Sequence, residues 1–179
     1  WNLLSGISTP VDVNLFYNSG IIAFGGIYGY DGSYFNADMV HPGKAYWVRA
    51  LADGEITLSS TEAAAKTFPM INHLSEANTL EISNGTHSNT LYFGKAVPEG
   101  EELSYSLPPV FPQMDFDARF TGDMKYAVES STIEVLNRSE LLTINYYIII
   151  DAGEHMNWIL RSENGEEYTL EGFGEITVP

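Results

Sequence analysis

The chain contains 179 residues, and 44% of them are hydrophobic, so it can form one large domain or two small ones with a proper core. It carries 24 Asp and Glu residues against 8 Lys and Arg, a formal net charge of -16, which disfavours nucleic acids and anionic membrane surfaces as partners. There is no cysteine, which excludes disulfides and thiolate chemistry, and the longest apolar run, residues 146–150, is too short for membrane insertion.

Strand patterns dominate the N-terminal part of the chain. Strands are predicted at residues 1–4, 45–50 and 55–58, and the segment GIYGYDGSYFNAD places Asp31-Gly32 between two aromatic-rich stretches. Asp-Gly supplies the positive φ angles of a tight hairpin turn. These signals predict a small N-terminal β unit.

One segment has helical character. STEAAAKTF, residues 60–68, begins with a Ser/Thr cap, continues with an alanine run and is followed by Pro69, which stops a helix. It falls where the first group of strands ends. We therefore expect an N-terminal β unit at residues 1–60, a connection with a short helix at 61–76, and a β-sandwich at 77–179.

The C-terminal part is also rich in strand patterns. ELLTINYYIIIDAG, residues 140–153, contains many β-branched and aromatic residues and predicts a central strand that is buried on much of both faces. Asn164-Gly165 supplies a second hairpin turn. Shorter strands are predicted at residues 79–82, 90–94, 118–121 and 132–136. Many short strands at close spacing predict an all-β fold, a β-sandwich of immunoglobulin-like or jelly-roll-like type with the smaller N-terminal β unit.

Several short motifs carry a resemblance to a known kind of module. They are the Trp-Asn-Leu start, the Tyr-Asp-Gly turn, PGKAYWV at residues 42–48, TLYFGK at 90–95 and LPPVFPQMDFDARF at 107–120. The sequence resembles a β-sandwich accessory module found near the C-terminus of large secreted bacterial multidomain proteins of the type IX secretion kind. Ala45 departs from the pattern, which often has glycine there. The resemblance implies an extracellular or cell-surface location and other domains of the same parent chain as partners, and it implies no activity.

The stretch at residues 107–120 raises the question of a catalytic, calcium-binding or structural role. Asp115 and Asp117 flank Phe116, so in a strand both carboxylates share one face. Such a pair can serve glycoside hydrolysis or, with carbonyl oxygens, bind calcium. Alternatively, Phe116 and Phe120 fill the core, Asp117 pairs with Arg119 or caps a turn, and the prolines hold an extended segment. We favour the structural alternative, expect no cofactor, and leave calcium at Asp115 and Asp117 open.

The predicted hairpin is also a candidate ligand-binding surface. Tyr28, Tyr30 and Tyr34 lie around its turn with Asn36 beside them. If these rings share an exposed face, they form a platform for sugar rings, with the Asn36 amide reaching hydroxyl groups. Trp158 is a second candidate location. The alternative is that alternate rings belong to the core of the N-terminal unit.

Motifs for catalysis or metal binding are missing from the sequence. The histidines, His41, His73, His87 and His155, have no metal-ligand spacing, and neither a GxSxG nucleophile motif nor a Gly-rich phosphate loop is present. The sequence therefore predicts that the chain is not an enzyme.

We expect a non-catalytic accessory module of a secreted or cell-surface protein, with a neutral polysaccharide as its ligand. An acidic surface leaves a neutral polymer unrepelled, whereas it repels anionic partners. The first alternative is a structural or assembly module: a spacer, an adhesin segment or a filament subunit whose sheet edges meet neighbouring chains.

Overall fold

The protein is nearly all-β, with 45% strand and 5% helix, which confirms the predicted β-sandwich-type fold class. In the described part of the chain, no helix is long and apolar enough to cross a membrane. The helix predicted at residues 60–68, and His155, lie outside the described residues. The computed structural model describes residues 1–58, 71–139, 141–153 and 156–178.

The chain folds into two compact units, and each is formed by two separate stretches of sequence. Unit 1 comprises Trp1–Asn72 and Pro98–Pro109, and unit 2 comprises His73–Val97 and Val110–Pro179. The expected division has a single connection at residues 61–76. The observed division differs because residues 98–109 return to unit 1.

Unit 1 is built around a four-stranded antiparallel sheet. Its elements are β1 (Asn2–Ser5), β2 (Val11–Asp12), α1 (Asn14–Tyr17), β3 (Ile22–Tyr30), β4 (Tyr34–Asn36), β5 (Met39–Val40), β6 (Ala45–Ala50) and a 3₁₀ helix (Glu102–Tyr105). The sheet has the strand order β1-β6-β3-β4, and β2 and β5 form a separate antiparallel pair. Apolar side chains from these elements form one core.

The prediction of a strand at residues 55–58 is wrong. This segment has no strand pairing. Its apolar side chains, Ile56 and Leu58, pack against the core of unit 1 instead. The apolar pattern indicated packing against a core, which the segment has. It did not show whether a neighbouring strand was present to pair with the segment.

The hairpin predicted at Asp31-Gly32 joins β3 to β4. Tyr30 pairs with Tyr34, and the Asp31 N–H donates a hydrogen bond to the Ser33 carbonyl oxygen at 3.2 Å. Gly32 has a φ angle of 103°. The turn therefore needs the left-handed backbone conformation that glycine adopts readily.

Two tyrosine hydroxyls attach the returning segment to unit 1. The Tyr28 Oη donates to the Ser106 carbonyl oxygen at 3.3 Å, and the Tyr34 Oη donates to the Pro109 carbonyl oxygen at 2.9 Å. Leu107, between these two attachments, is buried. Hydrogen bonding and burial together explain why residues 98–109 belong to unit 1.

Unit 2 is a sandwich of a five-stranded sheet and two strand pairs. Its strands are β7 (Asn78–Ser83), β8 (Ser88–Phe93), β9 (Phe116–Phe120), β10 (Tyr126–Ala127), β11 (Ile133–Asn137), β12 (Leu142–Tyr147), β13 (Trp158–Arg161), β14 (Glu167–Leu170) and β15 (Phe173–Val178). The five-stranded sheet has the order β10-β8-β7-β12-β15, and the pairs are β11-β9 and β13-β14. Side chains from the sheet and from both pairs form one core.

The strand β12 lies inside the five-stranded sheet of unit 2, between β7 and β15, so it is not an edge strand, as expected, although β7 occupies the centre of the strand order. Ile144 is only 7% exposed, and Ile148 packs against the same core. Asn145 and Tyr147 on the other face are exposed. The expectation of burial on both faces is therefore wrong, because alternate residues of this strand face solvent.

The side-chain amine of Lys125, immediately before β10, is partly buried. Its backbone carbonyl oxygen accepts a hydrogen bond from the Tyr92 N–H at 2.8 Å. Burial lowers the pKa of the Lys125 side chain from 10.5 to about 8. Keeping this lysine charged in the folded state therefore costs stability at neutral pH.

The first prediction compares two isoleucines that differ in exposure. Ile144→Asp should abolish cooperative unfolding, because it loses about 1.5–3 kcal/mol of apolar burial and places a carboxylate in the core. Ile149 is 49% exposed, so Ile149→Asp should melt close to the parent. Circular dichroism during heating measures both. Similar melting curves for the two variants would contradict the assignment of the inner face.

The second prediction concerns the pH dependence of stability. Between the folded pKa of Lys125, about 8, and its unfolded value, the unfolded chain binds more protons than the folded one. The free energy of unfolding contributed by Lys125 should therefore rise with pH through this interval. In urea titrations from about pH 7.5 to about pH 9.5, Lys125→Met should reduce this rise, whereas the exposed-site variant Lys44→Met should retain it. Identical profiles for both variants would contradict the prediction.

Candidate functional site

The acidic stretch of the second unit is organised around a buried arginine. On β9, the Arg119 Nε donates to Asp117 Oδ2 at 2.5 Å and its Nη2 donates to Asp117 Oδ1 at 2.9 Å. The Arg119 Nη1 also donates to Asp123 Oδ1 at 2.6 Å. Phe116 on the same strand lies in the core. The structural alternative from the sequence therefore describes this stretch, since Asp117 pairs with Arg119.

Opposing effects act on the pKa of Arg119. Burial alone would lower this pKa, but hydrogen bonds and charges of Asp117, and then of Asp123, outweigh burial and raise it. Asp123 has a φ angle of 61°, which is uncommon for a residue other than glycine. The turn after β9 thus places a second carboxylate on the buried guanidinium.

The structure does not bring Asp115 and Asp117 together as a metal site. Both carboxylate oxygens of Asp117 accept hydrogen bonds from Arg119, while Asp115 is exposed. Across the residues that the structure describes, no group of three or more His, Asp or Glu side chains is placed to hold a metal ion. The calcium interpretation of these two aspartates therefore has no geometric support.

The proposed platform at the β3–β4 hairpin is largely buried. Tyr28 is 1% exposed and Tyr34 is 5% exposed, and their hydroxyls bind the returning segment. Tyr30 is exposed at the hairpin end, with its ring edge-on to Tyr34 at a centroid distance of 5.8 Å. Only one of the three predicted rings is therefore available to a ligand, and the alternative of core rings is correct for Tyr28 and Tyr34.

The neighbours of Tyr30 do not complete a platform. The Asn36 amide donates to the Gly25 carbonyl oxygen at 2.6 Å, so its side chain is tied to unit 1. Phe35 is exposed, but it lies on the opposite face of the hairpin and its ring covers Gly29. The exposed rings of this hairpin consequently face different directions.

Trp158, the second predicted ligand site, has a structural role in unit 2. Its indole Nε1 donates to the Ile150 carbonyl oxygen at 2.8 Å. Its ring packs edge-to-face on Phe93, with centroids 5.0 Å apart. The buried Asn78 side chain binds the same segment, since its Oδ1 accepts from the Ile150 N–H at 2.7 Å. Trp158 therefore helps to fix the chain after β12.

The outer face of the five-stranded sheet carries a row of aromatic side chains that the sequence analysis missed. Thr79 pairs with Tyr92 and with Tyr147, and Tyr147 pairs with Phe173. Directly paired residues project from the same face of a sheet. Tyr147 is 53% exposed and Phe173 is 82% exposed. We call Tyr92, Thr79, Tyr147 and Phe173 the aromatic row.

The half-buried Tyr92 marks the inner end of the aromatic row. Burial raises the pKa of its phenol above the ordinary value. Tyr147 and Phe173 at the other end face solvent, and β15 is one of the two edge strands of the sheet. The row is thus most accessible at the β12–β15 edge.

Polar side chains cover the rest of this outer face. The paired residues next to the aromatic row are Thr90, Glu81, Asn145 and Glu175, all of them exposed. The following row consists of Ser88, Ser83, Thr143 and Thr177. Hydroxyl, amide and carboxylate groups therefore lie along one side of an exposed aromatic strip.

Comparison with known proteins gives no match: no protein-family model, no curated protein and no solved structure is similar to this chain.

The third prediction separates the two aspartates of the acidic stretch. Asp117→Asn should lower the free energy of unfolding by about 3–5 kcal/mol, because it leaves the buried Arg119 guanidinium without its bidentate partner. Asp115→Asn, at an exposed position, should change it by less than about 0.5 kcal/mol. Urea unfolding measures both. A saturable stabilisation by calcium that magnesium does not reproduce, and that Asp117→Asn removes, would restore the calcium interpretation.

Proposed function

We propose that the chain is a non-catalytic accessory module that binds a neutral polysaccharide on the outer face of the five-stranded sheet. The observation that carries the proposal is the exposed cross-strand pair of Tyr147 and Phe173, at 53% and 82% exposure. Large aromatic side chains left in solvent on a regular sheet contribute little to folding. They are available for stacking on a ligand.

The geometry of the row suits an extended sugar chain. Neighbouring strands lie about 4.8 Å apart, so Tyr92 and Phe173, three strands apart in the sheet, are separated by about 14 Å. A polysaccharide has apolar ring faces and hydroxyl edges. Its faces stack on the rings, while Asn145 and its neighbours in the polar row reach the hydroxyls. The ligand runs across the strands rather than along them.

Charge selects among polysaccharides. The chain carries a formal net charge of -16, and Glu81 and Glu175 flank Asn145 beside the aromatic row. Carboxylates at the edge of the site repel uronic acid or sulfated polymers and leave neutral polymers unaffected. The ligand class is therefore a neutral glucan, xylan or mannan.

The open shape of the face supports binding without catalysis. Glycoside hydrolysis needs one carboxylic acid whose pKa is raised by an enclosed, apolar environment, facing a second carboxylate across the bond. Glu81 and Glu175 are exposed on a sheet face. They suit hydrogen bonding to hydroxyl groups.

We also propose that the module works outside the cell, beside other domains of one parent chain. The support is the resemblance carried by PGKAYWV, residues 42–48, and by residues 107–120. In such a chain, a binding module holds its neighbours close to an insoluble polymer and raises their effective concentration there.

A structural or assembly role is the second candidate function. The observation in its favour is Val135, which faces the core of unit 2 yet is 40% exposed. An exposed apolar side chain on a strand with an unpaired edge is a place that another chain can cover.

The fourth prediction tests the aromatic row. Tyr147→Ala combined with Phe173→Ala should weaken retention on neutral polysaccharides by about 1–3 kcal/mol, which is about 5- to 160-fold, because two stacking rings are lost. The melting temperature should change by only a few degrees, since both side chains are exposed. Affinity gel electrophoresis in hydroxyethylcellulose, xylan, glucomannan and anionic alginate measures retention.

The matched control for this experiment is Tyr30→Ala combined with Phe35→Ala. It also removes two exposed rings, but from unit 1, and should leave retention unchanged. If the control variant loses retention instead, the ligand binds at the hairpin. If no neutral polymer retains the parent protein, the polysaccharide proposal is wrong and the structural or assembly role is favoured.

A further inference from the structure

The layer opposite the five-stranded sheet has a gap between its two strand pairs. Among the described residues, β11 is hydrogen-bonded only to β9, and β13 only to β14. Two cavities of about 290 and 460 Å³ lie between β11 and β13, and Ile133 and Leu160 line both of them. We call these two adjoining cavities the groove.

The walls and floor of the groove carry apolar side chains, and polar residues such as Ser130 and Asn164 line the rest of it. Its walls include Ile133 and Val135 of β11 and Leu160 of β13, and its floor includes Ile82 and Ile144 of the five-stranded sheet. Val135 pairs with the fully buried Ala118, so its side chain projects toward the core. It is nevertheless 40% exposed. Val135 therefore exposes apolar surface at the groove, whereas Ile82 and Ile144 of the floor are buried.

The backbone of β11 also has a free edge at the groove. The Thr121 N–H donates to the Thr132 carbonyl oxygen at 3.0 Å, so these residues form a hydrogen-bonded pair of the antiparallel ladder. Hydrogen-bonded and outward-directed residues alternate along such a strand. The N–H and C=O groups of Ile133 and Val135 consequently point away from β9. They can pair with one further strand.

We propose that the groove binds an extended segment of another polypeptide, which adds a strand antiparallel to β11 and places alternate aliphatic side chains against Val135 and Leu160. Main-chain hydrogen bonds then supply affinity, and the apolar walls select aliphatic residues at every second position. This inference does not rest on polysaccharide binding, since the aromatic row occupies the opposite face of the sheet.

Charge determines which segment fits. Glu129 lines the smaller cavity and Glu163 lines the larger one, while Arg161, also at the larger cavity, is paired with Glu167, and the whole chain carries a formal net charge of -16. A second copy of this chain is therefore repelled, whereas Lys or Arg residues between the aliphatic positions are attracted. The occupant is a basic, alternating aliphatic strand.

The fifth prediction uses the full 179-residue chain and a labelled probe peptide, acetyl-KVKVKVK-amide. Fluorescence anisotropy at low salt should give saturable binding with one peptide per chain. N-methylation of the valines should weaken binding by more than about tenfold, because the valine N–H groups pair with β11. N-methylation of the lysines, whose N–H groups point away from β11, should preserve binding. The peptide EVEVEVE should bind more than about tenfold more weakly.

Substitution at Val135 provides the matched test on the protein. Val135→Pro removes an N–H at the free edge and keeps the ladder to β9, so it should weaken peptide binding by more than about tenfold with a similar melting temperature. Val135→Thr keeps the N–H and should bind normally. If Val135→Pro does not fold, hydrogen exchange on the parent decides: the peptide should slow exchange of the Ile133 and Val135 amides.

Several results would overturn the inference. The peptide methylated at valine could bind as well as the unmethylated one, or Val135→Pro could bind as well as the parent. Exchange at Ile133 and Val135 could also stay unchanged. Each of these results would mean that charge attraction alone accounts for the binding. Occupation by a fatty acid without peptide binding, or a dimer that Val135→Pro disrupts, would assign the groove to another occupant. The variants of Tyr147 and Phe173 should bind the peptide normally, so failure here is distinguishable from failure of the polysaccharide proposal.

Discussion

The two-residue alternation of side chains along β12 is the constraint on which both surfaces of unit 2 depend. Ile144 enters the core and forms part of the floor of the groove, while Asn145 and Tyr147 project to the outer face. A slip of one residue against β7 or β15 would exchange these sets and expose the core. The interior therefore enforces the pairing that aligns Tyr147 with Phe173.

Local patterns were sufficient for much of the fold. The strand at Ala45–Ala50 lies where its pattern predicted it, and the hairpins at Gly32 and Gly165 each place a positive φ angle on glycine. These features depend on neighbouring residues, so a single sequence contains them. The prediction of a strand at residues 55–58 is wrong because an apolar run indicates burial but does not identify a strand that could pair with it.

The candidate site depends on contacts that are distant in sequence. The partners of the Tyr28 and Tyr34 hydroxyls lie 78 and 75 positions away, so the hairpin alone gives no sign that these rings are covered. Tyr147 and Phe173 likewise belong to different strand patterns and meet only through the pairing of β12 with β15. Arg119 is an intermediate case, because its partner Asp117 is two residues away and the pairing was one of the two structural roles predicted for Asp117.

The return of residues 98–109 to unit 1 has a consequence for synthesis of the chain. Unit 1 is incomplete until Pro109 has left the ribosome, and by then residues 73–97 of unit 2 have emerged as well. The nascent chain thus holds β7 and β8 before β12 and β15 exist to pair with β7 or to cover its apolar face. Such an open, apolar hairpin is a target for chaperones and a starting point for aggregation. The order of translation therefore makes the middle of this chain its most vulnerable part.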